Sequence, residues 1–267
     1  MIKAIVAGAA GRMGGRITQA IQDSKDVSLA GAFDRPGHPS LGQDVGLVSG
    51  IGPTGIFITD SLNGILDLGQ VIIDFTQPEA SLAHIELAAD AGKAMIVGTT
   101  GFSPPQIERI RELSHRLPLV FTPNMSVGVN LLFKIVADVA KILGSSFDVE
   151  IVEAHHRLKK DAPSGTAVKL ADVIAEATGR KMSECGLYGR QGLVGQRTDQ
   201  EIAVLAVRAG DIVGEHTVMF GGMGERLEII HRAHSRDTFA RGAVRAAAWI
   251  AGRPAGLYDM QDVLGLK

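Results

Sequence analysis

The sequence predicts an α/β chain, with a doubly wound parallel sheet in its first half and a second α+β domain containing an open mixed sheet. Three observations carry this expectation. Short, continuously apolar runs alternate with helical patterns through residue 126; the composition then changes and three long strands appear within residues 127–235; and a turn rich in glycine follows the first apolar run.

The elements follow in order. IKAIVA (2–7) reads as a strand, and the helix after it places Ile17 and Ile21 on one stripe. VSLAGAF (27–33), VIIDF (71–75), AMIVG (94–98) and PLVF (118–121) repeat the strand pattern, with helices over 79–92 and 104–116 between them. Apolar strands joined by crossover helices belong to parallel sheets covered on both faces. After SVGVN, Leu132, Ile135, Val139 and Ile142 share one helical face. FDVEIVEAH (147–155) is a strand, and Ala167, Leu170, Ile174 and Ala177 mark the next helix. Three long strands follow in EIAVLAVRAG, IVGEHTVMF and ERLEIIHRA, then a helix over 238–252 and a tail, GLYDMQDVLGL. The expected domains are therefore 1–126, 127–235, and a segment 236–267 that returns to the first.

Composition narrows the function. The 267 residues are 45% hydrophobic and 21% charged, as in ordinary globular chains. A net charge of -2 gives no general attraction to nucleic acid or to an anionic membrane, so any electropositive site is local and its ligand small. At 4%, aromatic residues are too few to suggest a platform for stacked bases. The single cysteine, Cys185, forms no internal disulfide and fits a reducing cytoplasm. The N-terminus imitates a signal peptide, but its apolar part runs straight into the glycine pattern. No apolar run reaches the ~18 residues of a membrane span; NLLFKIVADVAKIL is broken by Lys134 and Asp138.

The first strand enters GAAGRMGGR, with Gly8, Gly11 and Gly14 at three-residue intervals where a helix begins. Such glycines permit a tight turn, and the helix N-terminus offers N–H groups to a pyrophosphate, the Rossmann-like arrangement. Ala10 departs from the strict G-x-G-x-x-G form. Asp34 ends the second strand, where an acid bonds ribose hydroxyls and suits NAD; Arg35 and Arg12 suit the 2′-phosphate of NADP. The plainer reading is a tight βα turn with Asp34 as a loop cap. Against it, GTTGF (98–102) and TPNMS (122–126) also follow predicted strands, giving three turns on the sheet edge where α/β folds bind ligands.

The stretch EAHHRLKKDAPSGTA (153–167) concentrates titratable charge before a helix. Strand alternation sends His155 and His156 to opposite faces. Pro163 pre-sets the chain for a helix, and Ser164, Gly165 and Thr166 supply hydroxyls and unpaired N–H groups at its first turn. With Arg157, Lys159 and Lys160, this is a cradle for carboxylates or phosphates, and both lysines are candidate proton donors. Lys and Arg alone would suit a solvated loop; the whole stretch beside a dinucleotide fold suits a site. A metal centre on Glu153, His155 and His156 is not expected, because adjacent strand histidines diverge and no paired-His helix or cysteine cluster is present. Cys185, in SECGLYGR, has no nearby base and reads as structural rather than as an aldehyde-dehydrogenase nucleophile.

VAGAAGRMG, IDFTQPE, GTTGF, PNMSVGVN, EAHHRLKKDAPSGTA and RAGDIVGEHTVMF, in that order from end to end, resemble the 4-hydroxy-tetrahydrodipicolinate reductase (dihydrodipicolinate reductase) family of the diaminopimelate route to lysine. The histidine-lysine stretch is highly specific; GAAGRMG alone is not. The resemblance implies a cytoplasmic homotetramer that reduces a small cyclic dicarboxylate with NADH or NADPH, 127–235 binding substrate and forming the oligomer. It implies that Gly8, Ala9, Ala10, Gly11, Arg12 and Met13 hold the pyrophosphate and Asp34 and Arg35 the adenosine ribose. Gly98, Thr99 and Thr100, with Thr122, Pro123, Asn124 and Met125, would hold the nicotinamide end. His155 would be the acid/base and Lys159 the proton donor, with His156, Gly165 and Thr166 binding substrate. Gln77 stands where some members carry a basic residue, so no fixed NADPH preference is implied. A non-catalytic, dinucleotide-binding redox sensor is the rival reading, and the histidine-lysine stretch weighs against it.

Overall fold

A computed structural model describes residues 1–267. The chain forms two compact units, Met1–Val127 with Arg236–Lys267, and Gly128–Ser235. No helix is long and apolar enough to cross a membrane.

The first unit opens with β1 (Ile2–Ala7), α1 (Arg12–Gln22), β2 (Val27–Phe33), α2 (Val45–Val48) and β3 (Ile58–Thr59). It continues through β4 (Val71–Asp74), α3 (Pro78–Asp90), β5 (Ala94–Val97), α4 (Pro104–Ser114) and β6 (Pro118–Phe121). Every residue of β4 and β5 is buried, because helices cover both faces. Ile73 and Ile96 pack with Ile17 and Ile21 of α1, while Ile72 and Met95 pack with Ile85 of α3 and Ile110 of α4. Around the short α2, which periodicity did not reveal, Asp44 accepts N–H bonds from Gly46, Leu47, Thr54 and Gly55. Burial raises that carboxyl, but these bonds outweigh it and hold its pKa at about 2.

The second unit contains α5 (Val127–Leu143) from its second residue on, β7 (Asp148–His155), α6 (Gly165–Ala177), α7 (Met182–Cys185), β8 (Gly186–Leu187), β9 (Ile202–Arg208), β10 (Gly214–Gly222) and β11 (Glu225–Ala233). Its mixed sheet runs β11-β10-β7-β9-β8, with β10 antiparallel to β7 and β11, and β9 parallel to β7 and β8. Along β10 the buried positions alternate, so His216, Val218 and Phe220 face one way. Val149, Ile151, Val204, Val218 and Phe220 form that face and pack against Leu132 and Val136 of α5 and Leu170 and Ile174 of α6. The opposite face carries Val152, Leu205, Val207, Met219 and Ile230, of which Val207 is 44% and Ile230 40% exposed.

The chain then returns to the first unit as α8 (Asp237–Ile250), β12 (Gly256–Tyr258) and α9 (Met260–Leu264). Ala240, Ala243, Ala247 and Ile250 are fully buried beside α1 and the sheet. The tail thus forms a strand and a helix. β12 completes a seven-stranded, all-parallel order, β12-β6-β5-β4-β1-β2-β3. The order reverses between β1 and β4, which puts the ligand crevice of such a sheet at the carboxyl ends of those two strands.

Candidate active site

The glycine turn sits at that switch point. Gly8 has φ of 60°, and a Cβ on Gly14 would lie 2.2 Å from the Gly8 carbonyl oxygen, so α1 starts pressed against the turn. Asp34 fastens it from β2: Oδ2 accepts the Ala10 N–H at 3.0 Å and Oδ1 the Arg35 N–H at 2.9 Å. Beside the turn, Arg12, Met13, Phe75, Gly98, Asn124 and Arg236 line a cleft of about 270 Å³. That is less than the ~300–1,000 Å³ of a whole small-molecule site, so it fits one end of an extended ligand. Pro123 and Met125 line it as well.

The structure therefore brings Arg12, Met13, Gly98 and Pro123–Met125 to one cleft, while Arg35 and Thr100 are solvent-exposed and are not part of its lining. Thr99 turns inward, its hydroxyl 3.0 Å from that of Ser81. Thr122 is buried, and its hydroxyl donates to the Asn124 carbonyl at 3.3 Å. Sequence reasoning missed Asp74, fully buried at the end of β4. It accepts bonds from the Thr76 N–H and hydroxyl and lies 2.6 Å from His84 Nδ1. A turn with glycines at Gly8, Gly11 and Gly14, a helix N-terminus and an acid just past β2 together fit a dinucleotide.

In the second unit, strand register builds the charged site. Glu153 of β7, His216 of β10 and His231 of β11 form one row, and His155 pairs with Arg208 of β9. The face that is apolar at Ile151 and Val218 becomes polar one pair further along. Glu153 is 0% exposed and saturated with donors. Arg208 reaches both its oxygens, at 2.7 and 2.8 Å; the Ser164 N–H reaches Oε1 at 3.0 Å; and His155 Nδ1 lies 2.6 Å from Oε2. Burial pushes the Glu153 carboxyl up, but the bonds from Arg208, His155 and Ser164 outweigh it and hold it below the ordinary range. Burial drives His155 below its usual value against the pull of Glu153. The His155 and His216 rings meet edge to face at 5.3 Å, and burial lowers His216 to about 3.

The loop above carries Lys159, whose Nζ is 2.9 Å from Asp161 Oδ2, while Arg208 also donates to the Asp161 carbonyl at 2.7 Å. Arg157 and Lys160 are exposed. His156 lies past the end of β7, and its carbonyl accepts the Lys159 N–H at 3.1 Å. Two expectations need correction. Pro163 does not open the helix: Ser164 is the N-cap and Gly165 the first helical residue. Nor does Ser164 offer free groups, since its N–H goes to Glu153 and its hydroxyl both accepts from Ala167 N–H and lies 3.0 Å from His216 Nε2. Gly165 and Thr166 follow it in the first turn of the helix. Arg208 and His216 were missed in the sequence; the available signal was a histidine at an inward position of an alternating strand.

No group of three or more His, Cys, Asp or Glu side chains is placed to hold a metal ion, and Cys185 is buried in the core of the second unit. A neutral histidine above a buried carboxylate, an ammonium and a helix N-terminus can bind an anion and move a proton.

Known proteins share this architecture and sequence. Residues 2–125 match the family described as "Dihydrodipicolinate reductase, N-terminus", and residues 128–264 its C-terminus. The chain is 55% identical to the 4-hydroxy-tetrahydrodipicolinate reductases of Syntrophobacter fumaroxidans and Citrifermentans bemidjiense, covering all of each chain. The dipicolinate-bound dihydrodipicolinate reductase from Paenisporosarcina sp. TG-14 is 25% identical and superposes with a TM-score of 0.76, over 98% of this chain and 99% of that one. With both halves matched and the relatives aligned from end to end, the chain belongs to the dihydrodipicolinate reductase family.

Proposed function

We propose that the chain reduces 4-hydroxy-tetrahydrodipicolinate (dihydrodipicolinate) to tetrahydrodipicolinate in the diaminopimelate route to lysine, using NADH or NADPH. Family membership supports the reaction. The observation that carries it to named residues is the charged face of the second sheet, where the Glu153–His155 pair and Lys159 adjoin the first turn of α6.

The residues take the following roles. The backbone from Gly8 to Met13 receives the pyrophosphate. Asp34 uses one lone pair of Oδ2 on the turn and one of Oδ1 on the Arg35 N–H, and keeps the others for ribose hydroxyls. Arg35 and Arg12 offset a 2′-phosphate, which is why both cofactors serve. The turns Gly98–Thr100 and Thr122–Met125 hold the nicotinamide end. The bound nicotinamide supplies the hydride. Gly165, Thr166 and His156 bind the substrate carboxylates, Lys159 donates the proton to the nitrogen-containing conjugated system, and His155 serves as acid/base.

A homotetramer is supported by β11, an edge strand whose side chains are largely exposed, and by the apolar face around Val207 and Ile230. A single cysteine, buried and free, fits the cytoplasm. The deciding experiment is a spectrophotometric assay with freshly made 4-hydroxy-tetrahydrodipicolinate. Substrate-dependent consumption of NADH or NADPH is the expected result; cofactor binding without turnover would make the protein a redox sensor instead.

A further inference from the structure

We propose that Glu153 is a positioning residue for this reduction: it fixes His155 as the Nδ1–H tautomer, leaving Nε2 as the ring's lone-pair nitrogen, and Arg208 holds that carboxylate in place. The proposal rests on the reductase reading of His155 given above.

An ionised carboxylate only accepts hydrogen bonds, so a histidine nitrogen 2.6 Å from Glu153 Oε2 must carry a proton. Arg208 grips both Glu153 oxygens and the Ser164 N–H takes a further site on Oε1, so the carboxylate has no freedom to swing away. A neutral ring with its proton on Nδ1 carries its lone pair on Nε2. β10 leaves that edge clear: a Cβ on Gly214 would come within 3.1 Å of His155 Nε2, and glycine has none. The same guanidinium donates to the Asp161 carbonyl, and Asp161 accepts from Lys159. One buried carboxylate and its arginine thus anchor both groups that the proposed chemistry uses for proton movement.

The charges facing His155 come from every side. Burial opposes a proton on the ring, Glu153 of its own strand favours one, and Arg208 of β9 and Lys159 of the loop oppose it, while the His216 ring of β10 packs edge to face and stays neutral. Neutralising Glu153 removes the single favourable charge, so the histidine must titrate at lower pH, by about 1 unit for a partner in direct contact.

The test uses the full chain labelled with 15N in histidine, and Glu153→Gln, which keeps the shape and removes the charge. Long-range 15N–1H spectra of the ligand-free wild type are expected to show His155 protonated on Nδ1. In Glu153→Gln that tautomer loses its dominance, the His155 limb of the kcat/KM profile moves about one pH unit lower, and kcat falls on the order of 10²-fold with little change in KM for NADH. Glu153→Asp, retaining the charge, recovers part of kcat. Should Glu153→Gln fail to fold, Arg208→Lys keeps the charges, loses the two-pronged grip on the carboxylate and is expected to weaken the dominance of the Nδ1–H tautomer and lower kcat, without the downward move of the pH limb because Glu153 stays ionised. A wild-type His155 protonated on Nε2, or a tautomer and pH profile unmoved in the variant, overturns the inference while wild-type turnover stands. Absence of wild-type turnover overturns the reductase reading instead.

Discussion

Lys159 Nζ lies 2.9 Å from Asp161 Oδ2, yet only the lysine is withdrawn from solvent, its side chain 19% exposed against 62% for the aspartate. The contact holds the Asp161 carboxyl below its ordinary value and aims the ammonium along the loop. Lys159→Arg keeps the charge but donates protons poorly, because guanidinium has too high a pKa. If Lys159 is the donor, kcat falls about 10²- to 10⁴-fold with a much smaller change in substrate KM. Lys160→Arg, at an exposed neighbour outside the proposed catalytic set, is the control in the same steady-state assay. Near-normal kcat in Lys159→Arg would move the donor role to His155.

Arg35→Ala tests the nucleotide assignment. Removing an exposed guanidinium that meets a 2′-phosphate should weaken NADPH relative to NADH by about 1.5–3 kcal/mol. Fluorescence titration with each cofactor measures this, and equal losses for both would contradict it.

Acid sensitivity follows from His216. Its ordinary value of 6.5 in the unfolded chain drops to about 3 on folding, as burial penalises the charged ring and the nearby His155 adds to that. Between those values the unfolded state binds a proton that the folded state refuses. Stability is therefore complete above pH 6.5 and declines as pH falls toward 3, by at most about 1.4 kcal/mol per pH unit from this residue. Urea unfolding of wild type and His216→Leu at about pH 7.5 and about pH 5 should show the wild type losing more. A pH-independent difference would remove His216 as the source.

Gly14→Ala places a methyl 2.2 Å from the Gly8 carbonyl oxygen. Backbone must shift, so a loss of about 1–3 kcal/mol in thermal stability is expected, together with weaker NADH binding because the turn itself moves. Gly64→Ala, where a Cβ meets nothing within 4 Å, should change neither.

Light scattering should give a particle near four times the 28.1 kDa chain. A monomer at dilute concentration would sink the tetramer and leave β11 and the Ile230 face without the occupant proposed for them.

What the sequence disclosed was local. The strands of the parallel sheet are apolar runs, and the glycine turn and the Ser164–Thr166 helix start are read within a few residues. What it hid was pairing at a distance. Glu153 meets Arg208 at a separation of 55 residues and Ser164 meets His216 at 52, and both depend on the registers of β7, β9 and β10, which no single strand specifies. His216 alone left a trace, a polar residue at an inward position beside Val218 and Phe220. The segment around Asp44 left less, because backbone bonds to one carboxylate shape it and these have no hydrophobic period.

The return of residues 236–267 sets an order on synthesis. The second unit is one contiguous stretch, so its sheet and helices are complete as soon as that stretch has emerged. The first unit begins earlier but waits for residues 236–267, because Ala240, Ala243, Ala247, Ile250, Met260 and Val263 fill its interior and β12 closes its edge beside β6. A ribosome therefore carries an unfinished nucleotide fold past a finished neighbour. A premature stop just short of α8 spares the unit made later and leaves the unit made first without its filling.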